Sequence, residues 1–308
     1  MELSASARRI RPAGPALTAY NFDDFLARAA LDRLAPGEPV VIDLRGLEFI
    51  DLFGMAGLAY LCGDLRDGAG REVGLELGEG TACGFLERAG FFDILPVAVT
   101  ERCDLPPARL DYMRLFYGGN RALIEFTRID SHRTIDDVLD KAMHILRHRL
   151  RYSRNETRGL AMMLSEVCRN ILDHHGDGDR AEGLVAMQAH GRAGDRFVQV
   201  VVGDRGRGIR HTLSRHPDYA GLSSDVEAIA RSVQLGASEH DDPTHGTGLY
   251  HLLRLAGQSG GTVHLRSGGG KLYLRADRGE RRLLSVPMLS GTQVVITLPA
   301  RVPPPDAA

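Results

Sequence analysis

Glu166, Asn170 and His174 stand at strict four-residue spacing in the stretch LSEVCRNILDHHGDG, residues 164 to 178. On a helix a four-residue step advances about 400°, some 40° beyond a full turn, so a carboxylate, a carboxamide and an imidazole form one polar ridge. Leu160, Met163, Leu164, Val167 and Ile171 follow the three-and-four spacing of a stripe that faces a core. The ridge therefore runs beside a buried stripe. For any one of these residues a solvated face is the ordinary reading; what changes it is the company further along the chain. In VVVGDRGRGI a strand ends in Asp204 and is followed by Gly206 and Gly208. In HGTGLYHLL, Gly246, Thr247 and Gly248 come just before a helix, and in SGTQVVITLP, Gly291 and Thr292 are placed at the start of the last strand. Glycines let backbone amides come close to a ligand, and loops that open into helices offer unpaired N–H groups to anions.

Other ligand motifs fail. The Gly-Lys of SGGGKLY is followed by Leu272 and lacks the glycine spacing and hydroxyl of a P-loop. Both Gly-x-Gly sites meet a histidine, His211 or His251, where a dinucleotide fingerprint needs its third glycine. His144 and His148 are at metal-ligand spacing, but no third ligand or carboxylate motif accompanies them.

The elements that must position these residues fall into two halves. Residues 22 to 34 read as a helix, PVVIDL (39 to 44) as a buried strand, FGMAGLAYLCGDLR as an amphipathic helix and VGLEL (73 to 77) as a strand. The helix ACGFLERAGF follows, with Gly90 as its stop. Strand and helix alternate, which predicts an α/β layer. The interval from about 101 to 121 has paired prolines, paired glycines and no clean period, and reads as a linker. The second half begins with LIEFTRI as a strand and IDDVLDKAMHILRHRL as an amphipathic helix. After the ridge helix, GLVAMQAHGR and RFVQVVVGDRG read as consecutive strands. Helices at about 224 to 235 and 248 to 257 precede TVHLRS, KLYLRAD and TQVVITLP, each alternating as a half-buried strand. Consecutive strands beside segregated helices predict an α+β sandwich.

A helical Glu-x-x-x-Asn, an Asp-x-Gly-x-Gly after a strand, a Gly-x-Gly before a helix and a Gly-Thr at a terminal strand, in that order, resemble the Bergerat-fold ATPases of the GHKL class over roughly residues 120 to 300. The run Glu-x-x-x-Asn-x-x-x-His looks most like the anti-sigma-factor serine kinases. The resemblance implies a mixed sheet covered by helices, with ATP and Mg2+ as ligands. By the same resemblance Glu166 would be the general base, Asn170 would hold Mg2+ against the triphosphate, and His174 would complete the ridge at the nucleotide. Asp204 would accept the adenine amino proton and Thr292 would brace that contact. Gly206 and Gly208 would shape the pocket rim, Gly246, Thr247 and Gly248 would face phosphate, and GASEHDDPTH would be a mobile lid. His148 lacks the acidic neighbour and nearby proline of a phospho-acceptor box, which argues against autophosphorylation on histidine.

Over about residues 14 to 100, the stretch VVIDLRGLEFIDLFGMAGLAYL makes the first half similar to STAS domains of the anti-anti-sigma type. Phosphorylatable members open the helix after the aspartate with a serine, whereas Leu52 and Phe53 follow Asp51 here. Two large apolar groups at that position predict either a packed patch or a docking surface.

Composition bounds the rest. The 308 residues carry a formal charge of -2, with 43% hydrophobic and 25% charged residues, which gives no reason to expect nucleic acid or an anionic membrane as partner. No apolar run is long enough to span a bilayer. Cys62, Cys83, Cys103 and Cys168 form no paired motif and read as reduced thiols of a cytoplasmic protein. The expectation is a STAS-like domain over 1–105, a linker over 106–121, a GHKL domain over 122–300 and a disordered tail over 301–308. Its function would be an ATP-binding regulator of bacterial signalling, either a protein serine/threonine kinase or slow ATPase acting on a partner in trans, or a non-catalytic ATP-dependent switch. A regulator or STAS-type protein would be the partner, and a homodimer is left open.

Overall fold

The computed structural model describes residues 7–78, 81–96, 99, 123–148, 151–173, 183–190, 196–234, 236 and 248–300. The expected linker and the expected tail lie outside them. The chain divides into two compact units, Met1–Asn120 and Arg121–Ala308.

In the first unit, β1 (Arg8–Ile10), β3 (Val40–Asp43) and β5 (Val73–Glu76) form a three-stranded parallel sheet in the order β1-β3-β5. The short strands β2 (Ala16–Leu17) and β4 (Phe49–Ile50) pair in parallel beside it. Val40, Val41 and Ile42 are all buried, the pattern of a strand covered on both faces. Helix α1 (Phe22–Ala29) is shorter than the 22 to 34 expected, because Ala30 turns left-handed at φ 47° and the chain continues as a 3-10 turn. Helix α2 (Leu52–Gly63) is not amphipathic as expected: it is buried along its whole length and has no polar face, because the polar residues of the stretch, Asp64 and Arg66, lie beyond its end. Phe22 wedges against it: the Phe22 and Phe53 rings meet edge to face at 5.9 Å, and a Cβ on Gly57 would stand 2.4 Å from the Phe22 ring. Helices α3 (Thr81–Arg88) and α4 (Phe91–Ile94) follow, separated at the left-handed Gly90, the expected stop.

The second unit runs β6 (Leu123–Ile129), α5 (His132–His148), α6 (Arg154–Asp173), β7 (Gly183–His190), β8 (Phe197–Asp204), α7 (Gly208–Leu213), α8 (Asp225–Ser232), α9 (Gly248–Ser259), β9 (Thr262–Arg275) and β10 (Glu280–Pro299). Its five strands are ordered β6-β7-β8-β10-β9. Among the described residues every neighbouring pair is antiparallel, not mixed as expected. The reason is topological: β8 and β9 run in the same direction, but β10 returns from β9 and inserts between them. TVHLRS and KLYLRAD, expected as two strands, are one continuous β9, and Gly291 and Thr292 lie inside β10 instead of opening it.

Val202, Val294 and Leu265 form one cross-strand row and Val200, Ile296 and Val263 the next, all facing a core shared with α5, α6 and α9. Leu160, Met163, Leu164, Val167 and Ile171 of α6 are in that core, as the stripe predicts.

Candidate functional site

Strands keep side chains two residues apart on one face. Asp204 therefore follows Val202 on the helix-covered side of the sheet, at the last residue of β8. Thr292 is directly opposite it on β10, and Ser267 is directly opposite Thr292 on β9. The apolar rows thus end in a polar row of carboxylate and two hydroxyls across three strands. The Ser267 and Thr292 hydroxyls are 3.0 Å apart, and Ser267 Oγ accepts the N–H of Ile209 at 2.8 Å. Asp204 Oδ1 accepts the N–H of Gly206 at 2.7 Å, which folds the chain sharply out of β8 into α7.

Two glycines make this closeness possible. Gly208 has φ +78° and a Cβ there would meet Ser267 Oγ at 2.9 Å; Gly291 has φ +78° and a Cβ there would stand 1.9 Å from the Asp204 carbonyl oxygen. Both lie in the left-handed region that side chains disfavour. Asp204, Gly206, Gly208 and Thr292 are thus brought together. Sequence reasoning missed Ser267, because only the β9–β10 register reveals that the last residue of TVHLRS faces Thr292. The short helix α7 was also unanticipated.

The second group is built on α6. Glu166 and Asn170 are half-buried, one turn apart, at the margin of the buried stripe. The Glu166 carboxylate lies over the start of α9: a Cβ on Gly248 would be 3.1 Å from Glu166 Cδ and 3.4 Å from Oε1. His251, one turn into α9, brings Nδ1 within 3.8 Å of Glu166 Oε2. Helix α6 packs on α9 and on β8, the strand that ends in Asp204. His174, Gly246 and Thr247, and all of the expected lid after Gly236, lie outside the described residues.

Other chemistry-bearing residues have quieter settings. The His144 and His148 rings lie against each other with centroids 4.5 Å apart and planes tilted by 40°, on the exposed face of α5. Among the described residues no group of three or more His, Cys, Asp or Glu is placed to hold a metal ion. Cys62, Cys83 and Cys168 are buried thiols in no disulfide, and burial pushes the Cys168 thiol up to about 12. No helix among the described residues is long and apolar enough to cross a membrane.

The helix-backed antiparallel sheet thus ends in a carboxylate and two hydroxyls, and helices α7 and α9 of the same unit both open with glycine. Residues 131–275 match the family model of the histidine kinase-like ATPase domain. The match takes in every nominated site residue except Thr292, which lies beyond it on β10. Such domains bind ATP, generally with Mg2+. No curated protein matches the chain.

The residues present fit such a ligand. Asp204 supplies an acceptor for an exocyclic amine, and α9 opens with a glycine that brings no side chain to its own N-terminus.

Proposed function

We propose that the protein is an ATP-binding signalling regulator of the anti-sigma-factor kinase type, which transfers phosphate to a serine or threonine of a partner protein in trans. The observation that carries this reading is the Glu166 carboxylate against the glycine that opens α9, one helical turn from Asn170. A carboxylate there can take the proton of a hydroxyl placed near the terminal phosphate. Asn170 would hold Mg2+ through its carboxamide oxygen, a donor suited to a hard cation. Asp204 would accept the adenine amine, with Thr292 and Ser267 bracing the sheet end around it. The ion, when bound, neutralises charge that develops on the phosphates. The setting we propose is cytoplasmic, with the STAS-like first unit docking a regulator or STAS-type partner and a homodimer as a compatible assembly.

One observation favours a second reading, an ATP-dependent switch without transfer. Leu52 and Phe53, at the turn where phosphorylatable relatives carry serine, are both fully buried. That turn in the same chain offers no acceptor, so the substrate is another molecule or there is none.

Glu166→Gln separates the two readings. Under the kinase reading it binds Mg-ATP like wild type while transfer falls by roughly 10² to 10⁴, measured with labelled ATP and host lysate. Equal control of partner binding by wild type, Glu166→Gln and a slow-hydrolysing analogue would sink the kinase and leave the switch. Asp204→Ala tests the nucleotide site beneath both: calorimetry should show affinity reduced by roughly ten- to a hundredfold.

A further inference from the structure

The carboxyl ends of β1 and β3 open onto a groove of about 840 Å3 in the first unit, remote in sequence from every residue of the nucleotide site. In open α/β sheets the ends of parallel strands are where ligands are held. The volume falls within the roughly 300–1,000 Å3 usual for small-molecule sites. Arg11, Arg28 and Arg45 line it, with Asp43, Gly14 and Gly46 among the remaining wall residues, which leaves a net charge of +2 on the lining. Arg11 belongs to the loop after β1, Arg28 to the last turn of α1, and Arg45 to the loop after β3.

The groove is held in shape by the backbone. The Pro15 carbonyl of the first loop accepts the N–H groups of Glu48 (2.8 Å) and Phe49 (3.0 Å), tying the two loops together. Arg45 is fixed by Asp43, whose two oxygens it meets at 2.9 and 2.8 Å, and by Glu76 at 3.3 Å. Arg11 and Arg28 have no acidic partner among the described residues. Gly14 and Gly46 have no atom within 4 Å of where a Cβ would stand, so the wall there is backbone facing open space.

We propose that this groove is a binding site for the phosphate or pyrophosphate group of a small molecule, gripped by Arg11 and Arg28. One guanidinium fork satisfies one carboxylate, as Arg45 does for Asp43. Two further forks that share one groove and lack a partner match a group of higher charge with oxygens on several sides.

Hydrogen exchange of the full chain with and without saturating inorganic pyrophosphate tests this, read at segments 11–14 and 43–47. The expected result is slowed exchange in both segments of wild type, lost in Arg11→Gln/Arg28→Gln and retained in Asn170→Ala. Both arginines are exposed, so their replacement leaves the fold intact. Failure of the ATP reading would leave this result unchanged, because Asn170 lies in the other unit. The proposal is overturned by unchanged exchange in wild type, by slowing that survives the arginine changes, by slowing that depends on Asn170, or by equal slowing with citrate in place of pyrophosphate.

Discussion

The starts of helices α2 and α9 solve the same problem in opposite ways. Each begins with backbone N–H groups that have no partner in the helix. At α2 the chain supplies its own acceptor: the buried Asp51 carboxylate takes the N–H of Gly54 at 2.7 Å and that of Ala19 at 3.1 Å, and Leu52 and Phe53 close over it. At α9 the first residue is a glycine, and the nearby acidic group, Glu166, comes from a different helix. The first start is sealed by a side chain. The second has no side chain of its own there, and the carboxylate of a neighbouring helix stands against it. A packed patch, the first of the two outcomes expected for Leu52 and Phe53, is therefore what the α2 start contains, and docking through those two side chains is ruled out.

The largest expected effect comes from adding a side chain where the second unit depends on having none. Gly291→Ala places a methyl 1.9 Å from the Asp204 carbonyl oxygen at a φ of +78°. Strand β10 must then move off the end of β8, and the cost should be about 3 kcal/mol or more. Thermal unfolding and Mg-ATP calorimetry should both register it. Gly257, inside α9, is the contrasting position: no atom lies within 4 Å of its missing Cβ, so Gly257→Ala should stabilise the helix by about 0.5–1 kcal/mol. Equal effects at the two positions would show that close approach is not what the glycine at 291 provides.

Breaking the sealed start should cost somewhat less. Asp51→Ala removes an N-cap and a second backbone contact from a buried setting, worth about 2–3 kcal/mol together. Asp51→Asn keeps an acceptor oxygen and should recover part of the loss. Denaturant unfolding of the full chain, with hydrogen exchange at residues 52–63 to localise the change, checks both. If Asp51→Ala left α2 as protected as before, the seal would be the apolar packing of Leu52 and Phe53 alone.

How far the sequence was legible follows the same contrast. The α6 ridge was readable because a helical period puts Glu166 and Asn170 on one line with the buried stripe beside it. The strand that ends in Asp204 and the one that carries Thr292 were both readable, the second from its alternation. Cross-strand register was not, and with it went Ser267, the antiparallel order and the position of Thr292 inside β10, since which residue faces which is decided by pairing between distant segments. The glycine run 268–270 failed as a phosphate loop but had no visible purpose. The structure supplies one: Asp225, at the start of α8, takes the N–H of Gly269 at 2.7 Å, and a Cβ on Gly268 would strike its carboxylate at 2.5 Å. The burial of α2 on every side was likewise missed: the polar Asp64 and Arg66 at the end of the stretch suggested an amphipathic helix, yet none of Leu52–Gly63 is exposed.

The smallest expected effect sharpens the first unit's side of the comparison, where Arg9, Asp43, Arg45 and Glu76 neutralise one another across the sheet. Arg9 grips both oxygens of Glu76, at 2.5 and 2.6 Å, and Arg45 joins Asp43 to the same cluster. The hydrogen bond from Arg9 holds the Glu76 carboxyl below its ordinary range, and that from Arg45 does the same for Asp43. A carboxyl whose folded-state pKa is depressed contributes stability that is fully present above its unfolded value, near pH 4 to 5, and is lost as pH falls through the folded value. Wild type should therefore be insensitive to this cluster between about pH 6 and 8 and should lose its contribution below about pH 4. Glu76→Gln should unfold at a slightly lower temperature than wild type at pH 7, and the two curves should converge as the solution is acidified. The arginines are more than half exposed, so solvent and salt screen the attraction, and the difference at pH 7 should shrink in high salt. A difference that persisted unchanged at pH 3 would mean that Glu76 acts through packing between β3 and β5 and not through its charge.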